Sequence, residues 1–246
     1  MKTWYNVMKI ELLRMGRNPY FIIFSMLMPL VFYAIYTQTV DDTVMIDGTE
    51  WKAYFLVSMT CFSMMSASVT TMGIQLLHDR RQPWMSWVKS LPMKHWQYFL
   101  GRLSALMVLN LAVILFMFII VANWKDIDLG FYTWVKIVAW VWLAILPFLA
   151  LGTWVSVFKT AETAAGFANL ITLGLAIIGG LWMPLRQLPV FVREVGAWTP
   201  GHLYADGAWS ILAGESISAL TIIVLAGYFL FFLTGSLWTY RRFQEG

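Results

Sequence analysis

The chain has 246 residues, 60% of them hydrophobic and only 12% charged. A soluble domain carries about 25% charge, so too few solvated side chains are present to cover a water-soluble globule. A secreted disulfide scaffold, a disordered tail and an ordinary cytosolic enzyme are excluded, and a polytopic membrane protein is left.

The first eighteen residues are too charged to span a bilayer. At 100° per residue Trp4, Val7, Met8, Leu12 and Met15 share one face, with Lys2, Asn6, Lys9 and Arg17 opposite. That pattern predicts an interfacial amphipathic helix over 1–18, its basic face turned to anionic headgroups. Ile10, Glu11 and Leu13 fall in sectors that do not fit the pattern. Pro19 ends the segment and permits a turn into the next.

A bilayer core needs about 20 mostly apolar helical residues. Six runs free of Lys, Arg, Asp, Glu and His meet that need: 21–39, 53–77, 103–124, 137–158, 163–185 and 216–240. Every ionisable group is therefore placed at a segment end or in a loop. With the N-terminus inside, twelve of the Lys and Arg residues fall on the cytoplasmic side and five outside. The positive-inside rule then puts both termini in the cytoplasm. The predicted fold is all-α and integral to the membrane, a single domain over 1–246 with an interfacial helix and six transmembrane helices.

Span two carries Ser58, Thr60, Ser63, Ser66, Ser68, Thr70 and Thr71 with Met59, Met64 and Met65 among them. Hydroxyls and small residues favour close helix packing. The same residues could wall a translocation path, where flexible Met side chains accept varied apolar ligands. Ser63, Met64, Ser66 and Thr70 are the path candidates, joined by Asn169 in span five, whose amide needs a partner on another helix or on a ligand. The lone Cys61 has no partner for a disulfide and reads as a packing residue.

The segment 78–102 joins spans two and three on the side expected to be cytoplasmic. Pro83 and Pro92 suit the first turns of short helices, and Trp84, Trp87, Val88 and Leu91 recur at helical spacing beside Arg80, Arg81 and Lys89. Such a segment serves equally as a membrane-surface anchor or as a docking surface for a cytoplasmic partner. On the other side, 186–215 forms an apolar re-entrant or interfacial segment. Gly179 and Gly180 allow a bend before it, and Pro184 and Pro189 bracket a break. A short helix over 190–198 follows, lying in the outer interface.

No lysine follows a glycine, so a phosphate-binding loop of the Gly-Lys-Ser/Thr kind is absent. No His or Cys cluster has metal-ligand spacing. His202 and Asp206 are four residues apart, and hydrogen bonding within an outer loop is the expected role. The absence of acids from the spans argues against a proton-coupled secondary transporter. An integral enzyme acting on lipid would have only the His202 and Asp206 pair to work with. The basic residues flank apolar runs instead of forming a soluble patch, so no nucleic-acid partner is expected.

In order and spacing, several short elements resemble the permeases of the type-2 ABC transporter class. Arg17-Asn18-Pro19 matches an R-x-P opening of span one, and Pro29 a proline inside it. Asp79-Arg80, Leu91-Pro92 and Gly101-Arg102 correspond to the class's E-R…x-P…G-K coupling segment. Gly179-Gly180, Pro184, Leu188-Pro189 and Trp198-x-Pro200 correspond to its G…P…L-P…N-P signature after span five. Pro83-Trp84 depart from the Gly-Ser/Thr that the class often has there.

The resemblance implies the permease subunit of an exporter in a bacterial cytoplasmic membrane, moving an amphipathic, lipid-like or antimicrobial compound. It also implies separate ABC ATPase subunits that carry the ATP and Mg, so that no cofactor binds this chain. A second permease copy, identical or a sister, is implied as well, with membrane lipid around the pair. The residues it nominates for ATPase docking are Asp79, Arg80, Arg81, Trp84, Trp87, Leu91 and Pro92. Gly179, Gly180, Pro184 and Pro189 are nominated for an outer gate.

Overall fold

The computed structural model describes residues 2–17, 19–39, 45–46, 48–82 and 95–242. Ten helices carry nearly all of it. They are α1 (Lys2–Gly16), α2 (Pro19–Thr39), α3 (Trp51–Arg81), α4 (His95–Lys125) and α5 (Phe131–Leu143), then α6 (Leu146–Val155), α7 (Ala161–Ile178), α8 (Val190–Gly196), α9 (Pro200–Leu212) and α10 (Ala219–Arg242). A 3₁₀ turn, Leu185–Gln187, precedes α8. A two-residue antiparallel hairpin, Met45–Ile46 with Thr49–Glu50, leads into α3.

Five stretches among the described residues are long and apolar enough to cross a membrane: Trp51–Arg80, Gln97–Lys125, Phe131–Val155, Ala161–Ile178 and Ala219–Ser236. The protein is an all-α membrane protein. The expected fourth span is broken in its middle, because α5 stops at Leu143 and α6 restarts with Pro147 in its first turn. Proline has no N–H to give and its ring crowds the carbonyl four residues back, which favours an interruption of the helix at this point.

α3 is the central helix, packed against α2, α4, α6, α7 and α9. Its closest neighbour is α6. A Cβ on Gly73 would lie 2.7 Å from the Val155 Cβ, and one on Gly152 would lie 2.8 Å from the Val69 carbonyl oxygen. Two facing glycines let these backbones touch, as small residues do where helices meet in lipid. Indole N–H groups add directional ties between helices: Trp142 to the Met107 carbonyl, Trp140 to Tyr204 and Trp154 to Phe232, each at 2.8 Å. In hydrocarbon these donors have no water to turn to.

Two parts of the expected arrangement change. The N-terminal helix does not merely lie on a lipid surface. Its apolar face, Val7, Met8, Leu12 and Met15, packs on the protein, chiefly on α4. Gly101 lets it come close, since a Cβ there would meet Val7 Cγ1 at 2.7 Å. The second change concerns 186–215. Its last part is α9, a helix with nine buried residues, among them Leu203, Tyr204, Ala205, Ala208 and Ile211. His202 and Asp206 thus stand on a packed helix and not in a loop.

Candidate functional site

Where α1, α3 and α4 converge, four charged side chains and two polar ones form a cluster. Asp79 sits in the last turn of α3 and is fully buried. Arg14 Nη1 donates to Asp79 Oδ1 at 2.7 Å, and Arg102 Nη1 donates to Asp79 Oδ2. The Tyr98 hydroxyl donates to the same Oδ2 at 2.8 Å. Arg102, also fully buried, donates through Nη2 to Gln75 Oε1 at 3.0 Å and lies 4.0 Å from Glu11.

Two arginines thus balance two carboxylates across three helices. Burial works most strongly against the charge on Arg14, but the hydrogen bond to Asp79 and the nearby charges of Asp79 and Glu11 together outweigh it and hold the guanidinium above its ordinary pKa. A buried carboxylate is tolerated only with such partners. The chemistry is mechanical and not catalytic. The cluster fastens the end of α1 to the C-terminal end of α3 and the N-terminal turns of α4, the two helices joined through residues 83–94.

Sequence patterning missed this cluster as a unit. Its signal was Glu11, the acid out of register in an amphipathic basic helix, which becomes intelligible once Arg102 lies beside it. Asp79, expected on the docking surface, is turned inward instead, because its carboxylate is consumed by Arg14, Tyr98 and Arg102. Arg80 reaches across to the Ser156 carbonyl at 3.4 Å. Arg81 falls in the last turn of α3. Trp84, Trp87, Leu91 and Pro92 lie outside the described residues.

The expected path residues separate into three groups. Met64 and Ser63 are packed in the core of this chain. Ser66 and Thr70 are partly exposed along α3. Asn169 is exposed on α7 and meets no interhelical partner among the described residues, whereas Asn110 bonds to Ser68 at 3.0 Å.

At the other end of the molecule the four expected gate residues lie along the segment that links α7 to α8. Gly179 caps α7, and a Cβ there would lie 2.5 Å from the Leu175 carbonyl oxygen and 2.8 Å from the His202 nitrogen. Gly180 has φ of +81°, a conformation that favours glycine. Pro184 precedes the 3₁₀ turn, and Pro189 precedes α8. The Gly179 carbonyl meets His202 Nδ1 at 3.0 Å, tying the turn to α9.

The sequence matches the family described as ABC-2 family transporter protein over residues 33–238. The chain belongs to that family. It is 34% identical over 235 residues to a protein of Bacillus subtilis (strain 168) that bears the name transport permease YvfS, covering 96% of this chain and 95% of that relative. This ABC-2 permease is a transport subunit and not an enzyme, which removes the lipid-enzyme reading of His202 and Asp206. Family membership also implies an ABC ATPase subunit as its partner.

Proposed function

We propose that this permease is the membrane half of an exporter with six spans and both termini in the cytoplasm. Two permease chains stand side by side in a bacterial cytoplasmic membrane, and separate ATPase subunits hold the ATP and Mg. The cargo is an amphipathic, lipid-like or antimicrobial compound. Helix α2, with 21 residues and about 31 Å of rise, supports a sixth span. The basic split of the sequence supports the orientation.

The observation that carries the reading is the Arg14–Asp79–Arg102 cluster. ATPase closure pushing on residues 83–94 would meet α3, α4 and α1 fastened as one lever, so the force tilts helices instead of bending a loop. Switching of this kind is rigid-body motion about an interface and needs no catalytic group. Trp84→Ala with Trp87→Ala should weaken ATPase copurification and coupled ATP hydrolysis while membrane insertion persists. Normal stimulation by that double variant would reduce the segment to a surface anchor. External thiol labelling should reach a cysteine placed at Asp126 and spare one at Arg81; the reverse result overturns the topology.

A further inference from the structure

Along α3 the side chains of Phe62, Ser66, Thr70, Ile74 and His78 recur every fourth residue, and all remain partly or fully exposed within this mostly buried helix. Side chains at that spacing form one continuous ridge. It runs about 24 Å, a length comparable to the roughly 30 Å hydrocarbon core of a bilayer. The ridge is polar toward His78 and aromatic at Phe62.

Near its polar end, α1 stands across from the ridge. Arg14 faces Thr70, Thr71, Ile74, Gln75 and His78 over a cleft of about 340 Å³. Asp79 takes the Nη1 of Arg14, while 38% of that side chain stays exposed. Asp79 itself repels an anion little, because it is fully buried and, with Glu11, is balanced by Arg14 and Arg102.

The hydroxyls inside this cleft are the unusual feature. Elsewhere in the membrane helices Ser58, Thr60 and Thr172 each donate to the carbonyl four residues back, at 2.8–2.9 Å. Thr70 and Thr71 line the cleft with buried hydroxyls that have no hydrogen-bond partner among the described residues, and Thr71 is only 5% exposed. Buried polar groups in folded proteins nearly always find partners. Two neighbouring hydroxyls without one, near an arginine and on a helix whose ridge runs from a polar end at His78 to the aromatic Phe62, ask for a ligand with oxygens at its head and hydrocarbon behind.

We propose that the cleft between α1 and α3 is the headgroup site for an anionic glycerolipid. Its phosphate faces Arg14. Its ester carbonyls accept from Thr70 and Thr71, which lie about 6 Å deeper along α3 than Ile74 and Gln75. The acyl chain follows the ridge past Ser66 to Phe62. This rests on the export reading and deepens it, since it makes an acyl lipid of the leaflet nearest α1 the cargo class.

The test uses the full chain in phosphatidylcholine nanodiscs with photoreactive phosphatidylglycerol as probe. Crosslinks should map to residues 62–78, and phosphatidylglycerol should compete while extra phosphatidylcholine does not. Thr70→Val with Thr71→Val removes two hydroxyls that bond nothing in the fold and keeps their shape, so the protein should insert normally. Its affinity for the probe should fall about tenfold or more, as expected for lost hydrogen bonds to a polar head. Unchanged binding by this variant overturns the proposal, as does equal competition by phosphatidylcholine. Full displacement of the probe by inorganic phosphate would mark a bare anion site and overturn it too. Because binding needs no ATPase, its failure leaves the export reading standing, whereas failed ATPase association counts against export alone.

Discussion

The two ends of this permease are held by different physics. At the Asp79 end three helices meet through buried charges, Arg14 and Arg102 against Asp79 and Glu11. At the Gly179 end the contacts are aromatic and backbone-driven. Trp182 packs on Phe32, Tyr36 and Phe62, and Tyr54 stacks on Trp209 at 4.7 Å. The turn there is set by glycine and proline, and His202 ties to the Gly179 carbonyl. Ion pairs demand all their partners at once, whereas aromatic packing degrades by degrees. An end that must transmit force as a unit is suited to the first; an end that must open and reseal is suited to the second.

The largest expected effect lies at the charged end. Asp79→Ala leaves Arg14 and Arg102 facing Glu11 alone, and breaking a buried pair in this way costs about 3–5 kcal/mol. Thermal unfolding in nanodiscs should show it. Asp79→Ala with Arg102→Met should cost less than Asp79→Ala alone, because it removes the orphaned charge and leaves Arg14 and Glu11 in balance. A double variant as unstable as the sum of its single variants would mean the cluster is not coupled.

Gly180→Leu comes next. Its φ of +81° strains any side chain, and an added Cβ would lie 2.9 Å from Leu185 Cγ. Left-handed backbone costs about 1–2 kcal/mol and overpacking about 1–3 kcal/mol, so a loss of stability in that range is expected, together with reduced efflux at matched expression. Wild-type efflux and melting would show that the turn is no gate.

The smallest effect is expected for His202→Ala and Asp206→Ala. The first loses the bond to Gly179 and the second the bond from Thr221, at 3.0 Å, worth about 0.5–1.5 kcal/mol each. Transport should be nearly intact in both. Complete loss of efflux in Asp206→Ala at full expression would return chemistry to this end and erase the contrast between the two.

How much of the site was legible depends on the kind of signal. Gly179, Gly180, Pro184 and Pro189 could be read because their constraints are local: φ, a missing Cβ, a missing N–H. The Asp79 cluster could not, since Glu11, Asp79 and Arg102 come from helices far apart in the chain and only their contact gives them meaning. Met64 and Ser66 show the same limit from the other side. Both stand in one apolar, hydroxyl-rich run, yet Met64 is buried in the core and Ser66 is partly exposed, and composition cannot tell one face of such a helix from the other.

By itself the sequence determined that the chain is helical and lives in a membrane, because charge-free runs of about 20 residues have no other stable solution where backbone groups must satisfy one another. It also determined where helices must stop, at Pro19 and the Gly179–Gly180 turn, since those limits are set within a residue or two. Only the tertiary structure decided which face of α3 is core and which is ridge, that α1 is clamped to α4, and that α9 is buried. Those outcomes depend on which surfaces meet, and contact between distant segments is written in no single stretch of the chain.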